Sequence, residues 1–302
     1  MADGTGRSES QPENHGAPPM TRPRSARDRV REGKGARYNR VGSSPTVDSE
    51  RQFHALSLDL WFTLLYYAPE RDEQWKEDRA RVLSDAIRSR DGKRIHVNTV
   101  QRAIDSVRAR LSTEQRDPIT LDPEQLIPLY VKTLDAELTV PLTEFASVYS
   151  SVGLQEHPPI ANPEAVALVK ALAERNIPVL AITNTARRGL TWRDFLRDQV
   201  GLEFRLVISS CDCGSAKPDP AIFREAARRT GIVPREILHI GDSWELDIEG
   251  ALRAGFGAML YRGLWRFYPE GGLPDTGSQV SKMPSVPVID RLNEVLDGNF
   301  LT

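Results

Sequence analysis

Short apolar runs, separated by segments of helical period, organise most of the chain. Phe53-His-Ala-Leu-Ser-Leu-Asp59 is one such run and ends in a carboxylate. Four more follow: Pro178-Val-Leu-Ala-Ile-Thr183, Phe204-Arg-Leu-Val-Ile-Ser209, Ile237-Leu-His-Ile-Gly-Asp242 and Gly257-Ala-Met-Leu-Tyr261. Runs of this length bounded by polar residues predict buried strands. Between them, Pro163–Arg175, Trp192–Val200, Pro220–Thr230 and Glu245–Ala254 read as helices; in the first, Val166, Leu168, Val169 and Leu172 supply the apolar face. Strands alternating with helices of this length predict an α/β fold built on a doubly wound parallel sheet.

The stretch between the first two strands has a different pattern. Glu73–Arg88, Thr99–Leu111, Pro123–Leu138 and Leu142–Ser150 read as amphipathic helices, with no strand among them. The expected organisation is a core of residues 51–67 and 158–302, interrupted by a helical insertion, 68–157, that would lie as a lid over the carboxyl end of the first strand. Residues 1–50 contain no Leu, Ile, Phe or Trp. Such a segment cannot bury enough apolar surface to offset its ordering entropy, so a disordered tail is expected. Eight of its nine basic residues lie between Arg22 and Arg40, which makes a solvated basic arm the expectation.

Composition narrows the function classes. The chain has 302 residues, 40 Lys+Arg against 42 Asp+Glu, and a net charge of -2. With the nine basic and seven acidic residues of 1–50 set aside, the rest carries about -4. This balance argues against a cationic nucleic-acid binder. No apolar run is long enough to span a bilayer, and Met1–Gly6 opens no secretory signal. The two cysteines, Cys211 and Cys213, exclude a disulfide framework and fit a reducing, cytoplasmic setting.

In open α/β sheets, ligands collect outside the carboxyl ends of the strands. The polar residues at those ends are Asp59, Thr183 with Asn184, and Asp242, joined by Lys217 in Ser215-Ala-Lys-Pro-Asp-Pro220. Each alone has a plain structural explanation as a cap, a strand residue or a loop cation. Together they bring two carboxylates, a hydroxyl and an ammonium to one sheet edge. A carboxylate there can attack phosphorus or an activated carbon, provided nearby positive charge offsets the repulsion of an anionic substrate.

These residues stand in an order that resembles the haloacid dehalogenase superfamily of hydrolases. Asp59-Leu-Trp-Phe-Thr63 is similar to its first motif, Leu180-Ala-Ile-Thr183-Asn184 to its second, Lys217-Pro-Asp-Pro to its third, and Gly241-Asp242-Ser-Trp-Glu-Leu-Asp247 to its fourth. The resemblance covers about Phe53 to Leu296. It implies Asp59 as nucleophile, with Thr63, Thr183 and Lys217 as its catalytic companions. Thr183, Asn184 and Lys217 would bind a small phosphorylated substrate, and Asp59, Asp242, Asp247 and the Trp61 carbonyl would hold Mg2+. Gly241 fits a place where backbone passes close to the ion.

One position departs from the pattern. Phosphatases of that superfamily carry a second aspartate two residues after the nucleophile, acting as general acid and base; here it is Trp61. Indole donates one hydrogen bond and shuttles no proton. Three readings are compatible with this: a Mg2+-dependent phosphatase with altered acid–base provision, a 2-haloacid dehalogenase-like hydrolase, and a weakly catalytic or non-catalytic binding protein. The first is preferred because Gly241, Asp242 and Asp247 are intact, whereas the dehalogenases use no metal. Other features carry bland expectations. Cys211 and Cys213 read as loop or buried thiols, and Leu264-Trp-Arg-Phe-Tyr268 as packing of a loop. Trp244 would wall the site or pack the helix start, while His54 and His239 read as core or sheet-face residues. Tyr66, Tyr67, Arg71 and Trp75 lie where a lid would meet substrate.

Overall fold

Leu56 and Leu58 are fully buried in the first strand, and the chain winds its other elements around them. The computed structural model describes residues 52–67, 69–114, 116–264, 286–298 and 300–302. The amino-terminal 50 residues and most of Leu264–Tyr268 lie outside the described residues. β1 (Ala55–Leu58) and β2 (Leu65–Tyr66) are followed by α1 (Pro69–Ala86), β3 (Ile87–Ser89), α2 (Val97–Thr113), α3 (Pro123–Thr133), β4 (Ala136–Leu138) and α4 (Leu142–Ser151). The chain then returns through β5 (Ile160–Ala161) to α5 (Pro163–Glu174), β6 (Val179–Thr183), α6 (Gly189–Phe195), β7 (Leu206–Ser209), α7 (Ser210–Cys213) and α8 (Pro220–Thr230). The remaining elements are β8 (Ile237–Gly241), α9 (Gly250–Ala254), β9 (Gly257–Tyr261), β10 (Val288–Ile289) and α10 (Glu294–Asp297). π-type turns, Leu196–Val200 and Trp244–Glu249, extend α6 at its end and precede α9.

Six strands form one sheet in the order β10-β9-β8-β1-β6-β7, and every neighbouring pair is parallel. The strand order reverses at β1, which lies between β6 and β8. The crevice at such a reversal is where open α/β sheets bind ligands. Helices cover both faces: Leu168, Val169, Leu172, Trp192 and Phe195 pack in one buried cluster, and Ile222, Phe223, Ile248 and Ala251 in the other.

The helical insertion buries a cluster of its own, centred on Leu83, Val100, Ile104, Leu111, Tyr130 and Phe145. Where it leaves and rejoins the core, β2 and β5 pair antiparallel, Tyr66 opposite Ile160. It is also tied to the core from above the sheet: Arg188 lies 2.9 Å from Asp122 and 2.8 Å from Glu124, and the Ser210 hydroxyl donates to the Ile119 carbonyl at 2.6 Å.

Two expectations need correction. The insertion contains a strand pair, β3 with β4, and the helix expected over Pro123–Leu138 stops at Thr133. Asp135 takes a left-handed φ of +48°, turning the chain so that Ala136–Leu138 runs beside Ile87–Ser89. His54 is exposed and faces Glu236 at 3.5 Å rather than packing in the core. Among the described residues no helix is long and apolar enough to cross a membrane.

Candidate active site

Asp59 follows directly from β1, Asp242 from β8, and Thr183 ends β6, so the sheet delivers all three to one edge. Lys217 arrives through the start of α8. There the Asp219 side chain accepts from the Ala221 amide, Pro220 occupies the first turn, and Gly231 closes the helix at φ +73°. These are strong start and stop signals. Asp247 lies in the turn capped by Ser243, whose hydroxyl accepts from the Leu246 amide at 3.2 Å.

Lys217 Nζ donates to Asp59 Oδ1 at 2.6 Å and to Asp247 Oδ1 at 2.5 Å, with all three side chains at most 2% exposed. Burial works against the ammonium, but the Asp247 and Asp59 carboxylates outweigh it and raise the Lys217 pKa above the ordinary lysine value. The Leu60 amide donates to Asp59 Oδ1 at 2.7 Å, which orients the carboxylate. Asn184 clamps the main chain of Lys217 from both sides: its Oδ1 accepts from the Lys217 amide and its Nδ2 donates to the Lys217 carbonyl, each at 2.8 Å. The backbone between Asp59 and Thr63 is tightly folded, with Phe62 at φ +59°, a region that bulky side chains seldom adopt.

Asp247 is held on three sides. Besides Lys217, the Ser243 amide donates to Oδ2 at 3.0 Å, and His239 Nε2 lies 3.4 Å from Oδ1. His239 bonds Ser57 through Nδ1 at 2.9 Å, and burial lowers its pKa, so it supports Asp247 as a neutral ring. Gly241 has a reason for being glycine other than the one expected: a Cβ there would come within 2.2 Å of Asp247 Cγ.

Carboxylate oxygens of Asp59, Asp242 and Asp247 all lie within 4.8 Å of one another. Three buried carboxylates and the one ammonium that bonds two of them amount to a formal charge of -2, which is costly in a buried setting. An all-oxygen donor set with that charge fits a hard divalent cation. Thr63 and Thr183 are fully buried, and among the described residues their hydroxyls have no hydrogen-bond partner. A bound oxyanion would supply one.

Trp61 is half-buried in an aromatic group. Its ring meets Trp192 and Tyr67 edge-on at 5.1 Å each, and Trp75 at 5.7 Å. Trp75 donates its indole N–H to the Gly153 and His157 carbonyls, and Arg71 Nη1 lies 3.1 Å from His157 Nδ1. Tyr66 is half-buried. Trp244 is buried against Ile248 and Ala251, as expected of a packing residue. Cys211 is buried, with its thiol pushed up to about 12 by desolvation, and Cys213 is half-buried; both are free. The residues that sequence reasoning missed are His239 as a support for Asp247, and Arg187 in the loop after β6. The available signal for Arg187 was its position four residues beyond a strand-ending threonine.

Residues 54–255 match the family model described as haloacid dehalogenase-like hydrolase. Curated relatives include a glyceraldehyde 3-phosphate phosphatase of Methanopyrus kandleri, 36% identical over 31% of this chain and 40% of its own. Haloacid dehalogenase-like hydrolase domain-containing protein 3 of Bos taurus is 32% identical over 44% and 50%, and a phosphoserine phosphatase of Thermus thermophilus 34% over 37% and 45%. The chain thus spans half or less of these relatives' lengths. Among solved structures, a 2-haloacid dehalogenase from Pseudomonas syringae pv. Tomato superposes with a TM-score of 0.50 at 20% identity, covering 81% of this chain and 96% of that one. A HAD phosphatase from Thermococcus onnurineus superposes equally well at 20% identity, covering 81% and 98%. At that identity the likeness concerns the fold alone.

Proposed function

Since the chain belongs to the haloacid dehalogenase-like hydrolases, we propose that it is a Mg2+-dependent phosphatase that hydrolyses a small phosphorylated metabolite through Asp59. The observation that carries this reading is the convergence of three buried carboxylates with Lys217 bonded to two of them. Phosphatase-named relatives support it. Asp59, Asp242 and Asp247 would hold the ion together with the Trp61 main-chain carbonyl; when bound, it would supply the charge that lets an anionic phosphoryl group approach a carboxylate. Lys217 fixes the Asp59 carboxylate and adds its own positive charge. Thr63 and Thr183, whose hydroxyls have no partner among the described residues, would receive phosphoryl oxygens, while Asn184 acts through its hold on the Lys217 main chain. An Asp59 oxygen forms a bond to phosphorus as the ester oxygen leaves with its electron pair, giving an aspartyl phosphate that water then hydrolyses. The helical insertion serves as the cap that excludes bulk water, an arrangement supported by its ties to Arg188 and Ser210.

Trp61 sets the limit of this chemistry. Enclosed by Trp192, Tyr67 and Trp75, its ring offers no proton to the leaving alcohol. General acid–base help is worth about 10²- to 10⁴-fold, so substrates with acidic leaving groups are favoured. The test is hydrolysis of p-nitrophenyl phosphate with and without Mg2+, alongside chloride release from 2-chloropropionate. Mg2+-dependent phosphate release that is abolished in Asp59→Asn is expected, and Trp61→Asp should raise the rate on esters of weakly acidic alcohols. Turnover that survives EDTA or Asp59→Asn would overturn the mechanism. Chloride release without metal would instead favour the dehalogenase reading, which the aromatic residue at position 61 suggests.

A further inference from the structure

A cavity of about 140 Å³ lies between the helical insertion and the loop that follows β6. Three arginines line it, Arg79 on α1, Arg108 on α2 and Arg187 in the loop, together with Tyr149 on α4. No Asp or Glu is among the lining residues. Its wall also includes Asn184, which clamps Lys217 and directly follows Thr183. Consecutive Cα atoms are about 3.8 Å apart, so the cavity begins one residue from the proposed phosphoryl site.

Two of the three arginines, Arg187 and Arg108, have no carboxylate partner among the described residues. Arg187 is 4% exposed, and its hydrogen bonds go to the carbonyls of Ser150 at 2.5 Å and Val152 at 2.7 Å. Its guanidinium also stands 5.9 Å from the Trp75 ring and 5.7 Å from the Trp192 ring. No carboxylate lies within ion-pair distance of Arg187 or Arg108 among the described residues. Burial and the neighbouring Arg79 charge push the Arg187 pKa well below the ordinary value, a strain that an anion would relieve. Two further groups lack partners among the described residues: the buried Arg108 Nε and the hydroxyl of buried Tyr149. Both are lining residues that a carboxylate could satisfy.

We propose that this cavity binds a carboxylate carried by the substrate, so that the enzyme acts on phosphate monoesters of short hydroxy acids. The inference rests on the phosphatase reading above for the reaction, but on the arginine cavity for the substrate class. The volume suits a small group: a cavity of roughly 150 Å³ holds one benzene-sized molecule, which is room for a short acid arm.

The test compares binding of 2-phosphoglycolate and 2-hydroxyethyl phosphate by calorimetry, in Mg2+, to full-length Asp59→Asn protein, which should not turn either over. These esters differ in a carboxylate against a neutral hydroxymethyl group. A hydrogen-bonded charge contact is worth roughly ten- to hundredfold, so the acid should bind at least about tenfold tighter. Adding Arg108→Gln should collapse that preference towards one, and Arg108→Lys should retain part of it. Equal affinity for the two esters, or no binding of either, overturns the proposal without any change to the cavity. If the acid is preferred but wild-type protein releases phosphate from neither ester nor from p-nitrophenyl phosphate, the cavity assignment stands and the phosphatase reading falls.

Discussion

Gly241→Ala tests how tightly the site is built, because it presses one methyl group against Asp247 without replacing any proposed ligand. The new Cβ would begin 2.2 Å from Asp247 Cγ and 2.4 Å from Oδ2. Ordinary van der Waals contact starts at 3.4 Å, so the carboxyl carbon must retreat by about 1.2 Å or the strand must shift. Either movement breaks a set of contacts that reaches Lys217 at 2.5 Å, the Ser243 amide at 3.0 Å and His239 at 3.4 Å. A misplacement of about 1 Å in a reacting constellation can cost about 100-fold, and overpacking a core costs about 1–3 kcal/mol. The expected result is a loss of about 100-fold in kcat/KM for p-nitrophenyl phosphate, with a folded protein whose Tm falls by several degrees. A double-mutant cycle separates the two effects. In an Asp247→Gly background Cγ, Oδ2 and Cβ, the three atoms the added methyl would strike, are all gone, so Gly241→Ala should cost little further activity. Wild-type-like activity in Gly241→Ala, or full additivity with Asp247→Gly, would refute the argument.

Mg2+ at about a hundredfold excess over its Kd should stabilise the wild type by about 2.7 kcal/mol, read as a rise in Tm, and Asp242→Asn should remove most of that rise. Lys217→Met leaves Asp59 and Asp247 buried without their ammonium; denaturant unfolding in EDTA should show a loss of about 3–5 kcal/mol. Glu225 is held at about 2 by hydrogen bonds from Arg228 and Arg229. Because its folded value is depressed, its contribution is complete above the ordinary 4.5 and is lost as pH falls towards 2. Unfolding free energy of Glu225→Gln should therefore decline less steeply than wild type over that window, and parallel profiles would count against the ion pair.

The parts of this protein that local chemistry specifies were readable in advance. Pro220–Thr230 falls where Asp219, Pro220 and Gly231 dictate, and Gly257–Tyr261 is a run too apolar for anything but a buried strand. The four residues that converge on the site were equally legible, since each stands at the end of a strand or the start of a helix. What escaped depends on contacts distant in sequence. Ala136–Leu138 looks like the end of a helix until Ile87–Ser89 is beside it. Val288–Ile289 is two residues long and owes its strand geometry to Leu260 and Tyr261. Arg79, Arg108 and Arg187 belong to three elements, and each in isolation looks like one more solvated cation. Only the folded arrangement brings them to one cavity, where burial changes what their charge means.

The pairing of Tyr66 with Ile160 has an engineering consequence. Residues 67–159 leave and return at neighbouring points, so this detour can be lengthened, exchanged or cut back to a tight hairpin without altering the register of any sheet strand. Loop-closure entropy grows only slowly with length, which makes the junction tolerant of what is inserted there. The sheet edge that carries Asp59 and the inserted helices therefore meet in the chain at one two-residue seam, the natural junction for a chimaera.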